Sequence, residues 1–210
     1  MPKQTHWLNR RTAANIFHGY DFARSIGMAF NRYVTINLSA STRTDDGYQT
    51  FLKITHKYRD WFAGIHKRQG LKKCPPVYAY TLENANGMVH VNWAVYIPQA
   101  LHAEFDHKLE MWVSRAKGSC QPFDIKNKPI NMGAYKQYAN YFNKGVDPSY
   151  VGHFFLQEFA SDQGVIHGRR GSVSRAINET ARKRANYKAK RDRNKRFSNY
   201  NRLLNQPRAA

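Results

Sequence analysis

Three side chains able to bind a cation fall close together in residues 76–98: the carboxylate of Glu83, the imidazole of His90 and the amide of Asn92. The flanking runs 77–82 and 88–97 are rich in Val, Ile, Tyr and Trp, and Asn84, Asn86 and Gly87 lie between them, which predicts a β-hairpin. Side chains alternate between the faces of a strand, so His90 and Asn92 share one face, and Glu83, near the turn on the opposing strand, can reach it. A carboxylate, an imidazole and an amide oxygen converging on a flat sheet form a plausible platform for a divalent metal. A second group lies in residues 133–144, a predicted helix closed by Gly145. At 100° per residue Tyr135, Tyr138 and Phe142 share a packing side, while Gln137, Asn140, Tyr141 and Lys144 form a polar strip. Tyr141 and Lys144, one turn apart, are left free to act.

The elements that must position these groups follow from periodicity. Residues 11–30 place Ile16, Phe17, Tyr20, Ala23 and Phe30 at helical spacing, with Arg10, Arg11 and Arg24 on the wet side. Residues 33–38 read as a strand whose Tyr33, Thr35 and Asn37 share a polar face, while Val34, Ile36 and Leu38 share an apolar one. Residues 47–69 carry Phe51, Ile54, Tyr58, Trp61, Phe62 and Ile65 at i, i+3, i+4, i+7 spacing, a helix that Gly70 stops. Residues 99–118 repeat that pattern, with His102 and His107 expected at the surface rather than as ligands. Residues 119–126 are expected to form a short edge strand, because Pro122 cannot donate to a ladder. The order β, α, β, β, α, β predicts an α+β domain with a ferredoxin-like antiparallel sheet, similar to RNA-recognition folds, with its two crossover helices on one face and the other face open to a ligand.

Composition narrows the function classes. The chain has 210 residues, 41% hydrophobic, enough to bury a core as one domain with extensions. No apolar run approaches membrane-spanning length and residues 1–11 lack the apolar stretch of a signal peptide, so a soluble cytoplasmic protein with no membrane partner is expected. Cys74 and Cys120 match no metal-ligand spacing, which fits buried thiols in a reducing compartment. A formal net charge of +20 and a pI near 10.1 point to a polyanionic partner, nucleic acid before a membrane surface.

With these residues in view, Glu83-x3-Gly87-x2-His90-Val91-Asn92, followed by Tyr141-Phe142-Asn143-Lys144 and Asp147, resembles the HUH endonucleases, in particular the rolling-circle replication initiators (Rep proteins) of plasmids and phages. The strand YVTINL at 33–38 is similar to that family's first motif, and the resemblance spans about residues 30–148. It implies an HUH nuclease fold over 31–163, after an N-terminal helical extension at 1–30 and before a basic helical C-terminal extension at 164–210. It implies nicking and rejoining of single-stranded DNA at a replication origin through a 5′-phosphotyrosine, in a bacterial cell carrying a mobile element. Tyr141 would be the nucleophile, with Tyr138 the alternative, Lys144 its partner, and Glu83, His90 and Asn92 the ligands of Mg²⁺ or Mn²⁺. The family usually has a second histidine or a glutamine where Asn92 stands, so this site offers one nitrogen fewer. A phenol with a reference pKa near ~10 needs a nearby cation to act as a nucleophile at neutral pH.

The last third adds a dense basic series, including Arg169, Arg170, Arg175, Arg182, Lys183 and Arg184, with Tyr187, Phe197 and Tyr200 interleaved. It is expected to be a packed helix over 149–163 and then a helix or tail that clamps a nucleic-acid backbone. His167-Gly168-Arg169-Arg170, with Ser172 and Ser174, could cradle a phosphate. The nucleotide-binding pattern Gly-x4-Gly-Lys-Ser/Thr is missing, so a replication initiator of this kind would borrow a host helicase and need no small-molecule cofactor. A single-tyrosine transposase or a small relaxase would share the same site, and a non-catalytic single-strand binding module would share the same sheet.

Overall fold

The computed structural model of the chain describes residues 3–39, 47–69 and 74–188. Its centre is a five-stranded antiparallel sheet in the order β5-β2-β4-β3-β7, formed by β2 (Arg32–Asn37), β3 (Tyr78–Glu83), β4 (His90–Val95), β5 (Ile125–Pro129) and β7 (Gly171–Val173). A small second sheet pairs β1 (Gln4–Thr5) with β6 (Ile166–His167). The helices are α1 (Arg10–Ser25), α2 (Gly47–Gln69), α3 (His102–Lys117), α4 (Tyr135–Phe142) and the short α5 (Val151–Phe154) and α6 (Glu179–Arg184). The protein is therefore α+β, and the predicted hairpin is present as β3 and β4. No helix among the described residues is long and apolar enough to cross a membrane.

One face of the sheet behaves as its alternation demands. Val34, Ile36, Tyr80, Leu82, Val91, Trp93 and Val95 bury against Phe51, Tyr58, Phe62, Phe105, Leu109 and Trp112 of α2 and α3. Cys74 and Cys120 sit half-buried at the rim of this core.

The opposite face, expected to be open, is largely covered. Tyr33, Ala94 and Ala79 share a row with Val173, and this row packs with Ala13, Ile16, Phe17 and Tyr20 of α1 and with Tyr135, Ala139 and Phe142 of α4. Small side chains at Ala79 and Ala94 let helices approach, and Gly19 takes α1 so close to β7 that an added Cβ would lie 3.0 Å from Val173 Cγ1. The driving force is plain: each large apolar side chain fully buried here contributes about 2 kcal/mol, and an apolar helix face must find a matching surface. The polar end of this face lies near the β3–β4 turn, with the rows Asn37–His90–Glu83 and Lys126–Thr35–Asn92–Thr81, in which Glu83, Asn92 and Thr81 are buried, Asn37, His90 and Thr35 half-buried and Lys126 exposed.

Several element boundaries differ from expectation. The edge strand is shifted to Ile125–Pro129, because Gln121–Asp124 form a turn held by Asp124, whose Oδ2 accepts from Gln121 N at 2.8 Å. The helix expected over 149–163 is only the single turn of α5, ended by Phe155 in a left-handed conformation, φ 54°. Nor do the extensions stand apart from the domain. β7 is a strand of the central sheet, β1 and β6 pair the two extensions with each other, and Leu8 bonds to Gly145 and Asp147 in the loop after α4. Gly70, Phe197 and Tyr200, like everything beyond 188, lie outside the described residues.

Arg170 welds these extensions to the hairpin. The residue is 2% exposed, and its guanidinium donates to the carbonyls of Leu82 (3.2 Å), Gln163 (3.4 Å), Thr5 (3.2 Å) and Gly164. Burial lowers its pKa to about 10, opposed by the Glu83 and Asp162 carboxylates. Arg170→Leu is therefore expected to destabilise the fold by roughly 3 kcal/mol or more, since several buried carbonyls lose their donor. Urea denaturation measures this, and Arg170→Lys should recover little of it, because an ammonium cannot reproduce the planar fork.

Candidate active site

Glu83 ends β3 and His90 begins β4, and the register places them directly opposite each other. The Glu83 side chain is almost wholly buried, and its Oε2 lies 2.7 Å from His90 Nε2. A carboxylate only accepts, so in this contact Nε2 is the donor. The same Oε2 accepts from Lys144 Nζ at 2.8 Å. Lys144 Nζ in turn donates to the Tyr141 hydroxyl at 3.0 Å and lies 4.2 Å from the centre of that ring. Glu83, His90, Lys144 and Tyr141 thus form one connected polar chain from the hairpin to the end of α4.

The tertiary packing explains why α4 delivers these two residues. Tyr135 and Phe142 are buried against Tyr20 of α1, with ring centres 5.4 and 5.6 Å apart. The Tyr135 hydroxyl accepts from Phe30 N and donates to Tyr20 O, both at 3.2 Å. Past the helix end, Asn143 is fully buried with its amide donating to Ala139 O at 2.8 Å, and the Lys144 carbonyl accepts from Ser161 N at 3.0 Å. With its packing side anchored, α4 turns Tyr141 outward, 38% exposed, as the helical wheel predicts. Tyr138 is half-buried beside Tyr33, ring centres 5.5 Å apart. Asp147 accepts from Ser149 N and Oγ and so shapes the following turn rather than joining the site.

The charge on Lys144 is secured by its surroundings. Burial opposes it, but the Glu83 carboxylate and the hydrogen bonds to Glu83 and Tyr141 outweigh that cost and raise its pKa above the ordinary lysine value.

Asn92 plays a different part from the one expected of a metal ligand. Its Oδ1 accepts from the Tyr33 hydroxyl at 2.5 Å and from Thr35 Oγ1 at 3.3 Å, while its Nδ2 is buried with no hydrogen-bond partner among the described residues. Burial pushes the Tyr33 phenol well above its ordinary pKa, against the Thr35 hydrogen bond and with the help of neighbouring Tyr141 and Glu83. Tyr33 therefore remains a neutral phenol linking Asn92 to the Tyr141 neighbourhood, and their ring centres are 6.3 Å apart. The alternation of 33–38 already put Tyr33 and Thr35 on the site face; nothing in it indicated that they would occupy the amide oxygen of Asn92.

Among the described residues no group of three or more His, Cys, Asp and Glu side chains is placed to hold a metal. Glu83 and His90 supply two suitable donors, which fits a hard cation that keeps water and phosphate oxygens in its shell. The Asn92 oxygen, expected as a third, is engaged by two hydroxyls in this structure.

The basic candidates of the last third do not converge on this site. Arg170 is structural, as above, and Arg182 is buried with its guanidinium donating to Ile177 O at 2.6 Å and Asn15 Oδ1 at 2.8 Å. Both were expected to contact nucleic acid, and both are instead consumed by the buried acceptors that fold the segment. Arg169 and Arg175 are exposed but act on the phenols of Tyr80 and Tyr78, which belong to the opposite sheet face. Lys183 pairs with Glu179 at 2.8 Å, and Arg184 is exposed on α6. The expected phosphate cradle is a strand connection, with Gly168 N donating to Lys3 O and Ser174 N to Tyr78 O. His102 is half-buried beside Ile97 O and His107 is exposed, neither near the site residues.

Comparison of the chain with models of known protein families gives no match, and comparison with curated proteins gives none either.

Lys144 makes a pH prediction. Its folded pKa is raised, so its stabilising contribution is fully present below the unfolded lysine value of about 10.4 and is lost as pH rises through the folded one. Lys144→Met should therefore lower stability at neutral pH and flatten the alkaline limb of the stability curve, as read by thermal unfolding between pH 7 and 11.

Proposed function

We propose that this chain cuts and rejoins single-stranded DNA through Tyr141, as an HUH-type endonuclease that initiates rolling-circle replication. The observation that carries this reading is the unbroken contact from Glu83 and His90 through Lys144 to an outward-facing tyrosine. The fold is in keeping with it. The strand order β5-β2-β4-β3, with α2 and α3 as crossovers, is that of a ferredoxin-like sheet, and the residues shared with the HUH pattern fall at one end of it.

The chemistry assigned to these residues is a phosphoryl transfer. The Tyr141 phenolic oxygen attacks a backbone phosphorus, a new O–P bond forms, and the bond from phosphorus to the 3′-oxygen breaks. The DNA 5′ end is left on the tyrosine. The phenol proton passes to solvent and the departing 3′-oxygen takes one up, so the step is balanced, and its reversal rejoins the strand. Lys144, already bonded to the phenolic oxygen, holds the negative charge that oxygen acquires and orients the approaching phosphate. Glu83 fixes Lys144 in place and His90 fixes Glu83. Mg²⁺ or Mn²⁺, when bound by Glu83 and His90 in place of the proton they share, would polarise the scissile phosphate. Asn92 acts from behind, by holding Tyr33.

The proposed partners are an origin presented as a single strand and a host helicase, in the cytoplasm of a bacterial cell. A transposase or relaxase would use the same residues on a different DNA end. The engagement of Asn92 by Tyr33 and Thr35 favours a second reading, a single-strand binding module without chemistry.

Incubation with Mn²⁺ and random-sequence single strands, followed by a denaturing gel, separates these readings. A covalent protein–DNA adduct is expected from the wild type and is expected to vanish in Tyr141→Phe while single-strand affinity stays within about twofold. An adduct that survives in Tyr141→Phe but disappears in Tyr138→Phe would move the nucleophile. Absence of any adduct with binding intact would leave only the binding module.

A further inference from the structure

Besides Lys144, the cations that reach the site face come from an element that the sequence offered only as an edge strand. Lys126 and Lys128 of β5 pair in register with Thr35 and Tyr33, so their side chains stand on the same face as Asn92, Glu83 and His90. Both are exposed, and Lys128 Nζ lies 5.3 Å from the centre of the Tyr33 ring. At the start of the same edge, the turn before β5 holds Phe123 80% exposed, the most exposed of the large apolar side chains among the described residues. That turn is firmly built: Asp124 is buried, accepts from Gln121 N at 2.8 Å and pairs with Lys117 Nζ at 2.8 Å. Its backbone is tied to the sheet by Asn37 N donating to Asp124 O at 2.8 Å. The turn thus holds an aromatic ring in water with its face open to a stacking partner.

The other side of β5 is less basic. A groove there, lined by Leu109, Met111 and Ile125, carries Asp106, Glu110 and Arg115, and Asp106 is already bonded to Arg32 and Asn127. The lysine side is thus the more cationic of the two sides of this edge.

We propose that the turn 121–124 and strand β5 form the track along which single-stranded DNA is led to Tyr141, with Phe123 stacking a base and Lys126 and Lys128 each neutralising a backbone phosphate. This rests on the proposed function above for the identity of the strand as substrate. A base stacked on an exposed ring and phosphates matched by lysines on alternate residues are what a single strand of any sequence can offer. The track lies beside Tyr33, and the rings of Tyr138 and Tyr141 continue it toward Lys144.

The test uses the full chain and a labelled random-sequence single strand, with affinity read by fluorescence anisotropy across a salt series. Lys126→Ala/Lys128→Ala should weaken binding by about tenfold at 0.1 M salt and reduce the slope of log affinity against log salt by about 1.4, the value for two phosphate contacts on a single strand. Phe123→Ala should weaken binding with the salt slope unchanged, and Lys126→Arg/Lys128→Arg should restore both affinity and slope. Arg169→Ala/Arg175→Ala, beside β7 at the other edge of the sheet, should bind like the wild type. Unchanged affinity and slope in the double alanine variant overturn the track, and new self-association in that variant would show that the lysines only keep the edge strand from pairing with a second copy. The two proposals fail separately. An adduct that forms normally in a variant with unaltered binding removes the track and leaves the chemistry. Lysine-dependent binding without any adduct removes the chemistry and leaves the track.

Discussion

A buried carboxylate is the constraint to which this site answers. Glu83 sits at the end of a central strand, nearly inaccessible, where an unpaired negative charge would be costly. Its oxygen is met by His90 and Lys144, and behind it the guanidinium of Arg170 grips the Leu82 carbonyl. Each of these partners comes from a different part of the chain, so satisfying one charge requires that the hairpin, the loop after α4 and the segment leading into β7 all close together. The electrostatic demand of Glu83 and the integrity of the fold are therefore one problem.

That demand also accounts for the layering. A sheet with helices on one side alone would leave α4 with nothing to hold it at the height of Glu83. The second core, built on Tyr33, Ala79 and Ala94 with α1 beneath α4, supplies the support and leaves only the hairpin end of the face accessible. Tyr20 and Tyr135 set the helix, Tyr141 follows from its pitch, and Lys144 is placed by the turn that ends it. The accessible patch is small, polar and bounded by aromatic rings, and its cations are Lys144, held by Glu83 and Tyr141, and the exposed lysines of β5.

Asn92 shows how a buried amide is put to use here. An amide at that position cannot donate nitrogen to a metal as an imidazole would, and here its oxygen serves two neighbouring hydroxyls. The result is a site whose cationic character comes first from Lys144, with Tyr33 turned from a packing residue into part of the polar network.

Much of this was legible in the sequence because it depends on local geometry. The hairpin and the shared face of His90 and Asn92 follow from a period of two, and the outward turn of Tyr141 with Lys144 one turn on follows from a period of 3.6. The amphipathic face of α1 was equally visible, but its target was not: that Ala79 and Ala94 form a floor for it depends on strands far apart in sequence. Charge was the least readable property. Lys and Arg look alike in a one-dimensional run, yet tertiary structure buried Arg170 and Arg182 against carbonyls and an amide, left Arg169 and Arg175 exposed beside β7 at the other edge of the sheet, and left Lys126 and Lys128 beside the site. Periodicity decides which way a side chain points from its own element; only the packing of elements decides whether that direction leads to water, to a buried acceptor or to the reacting group.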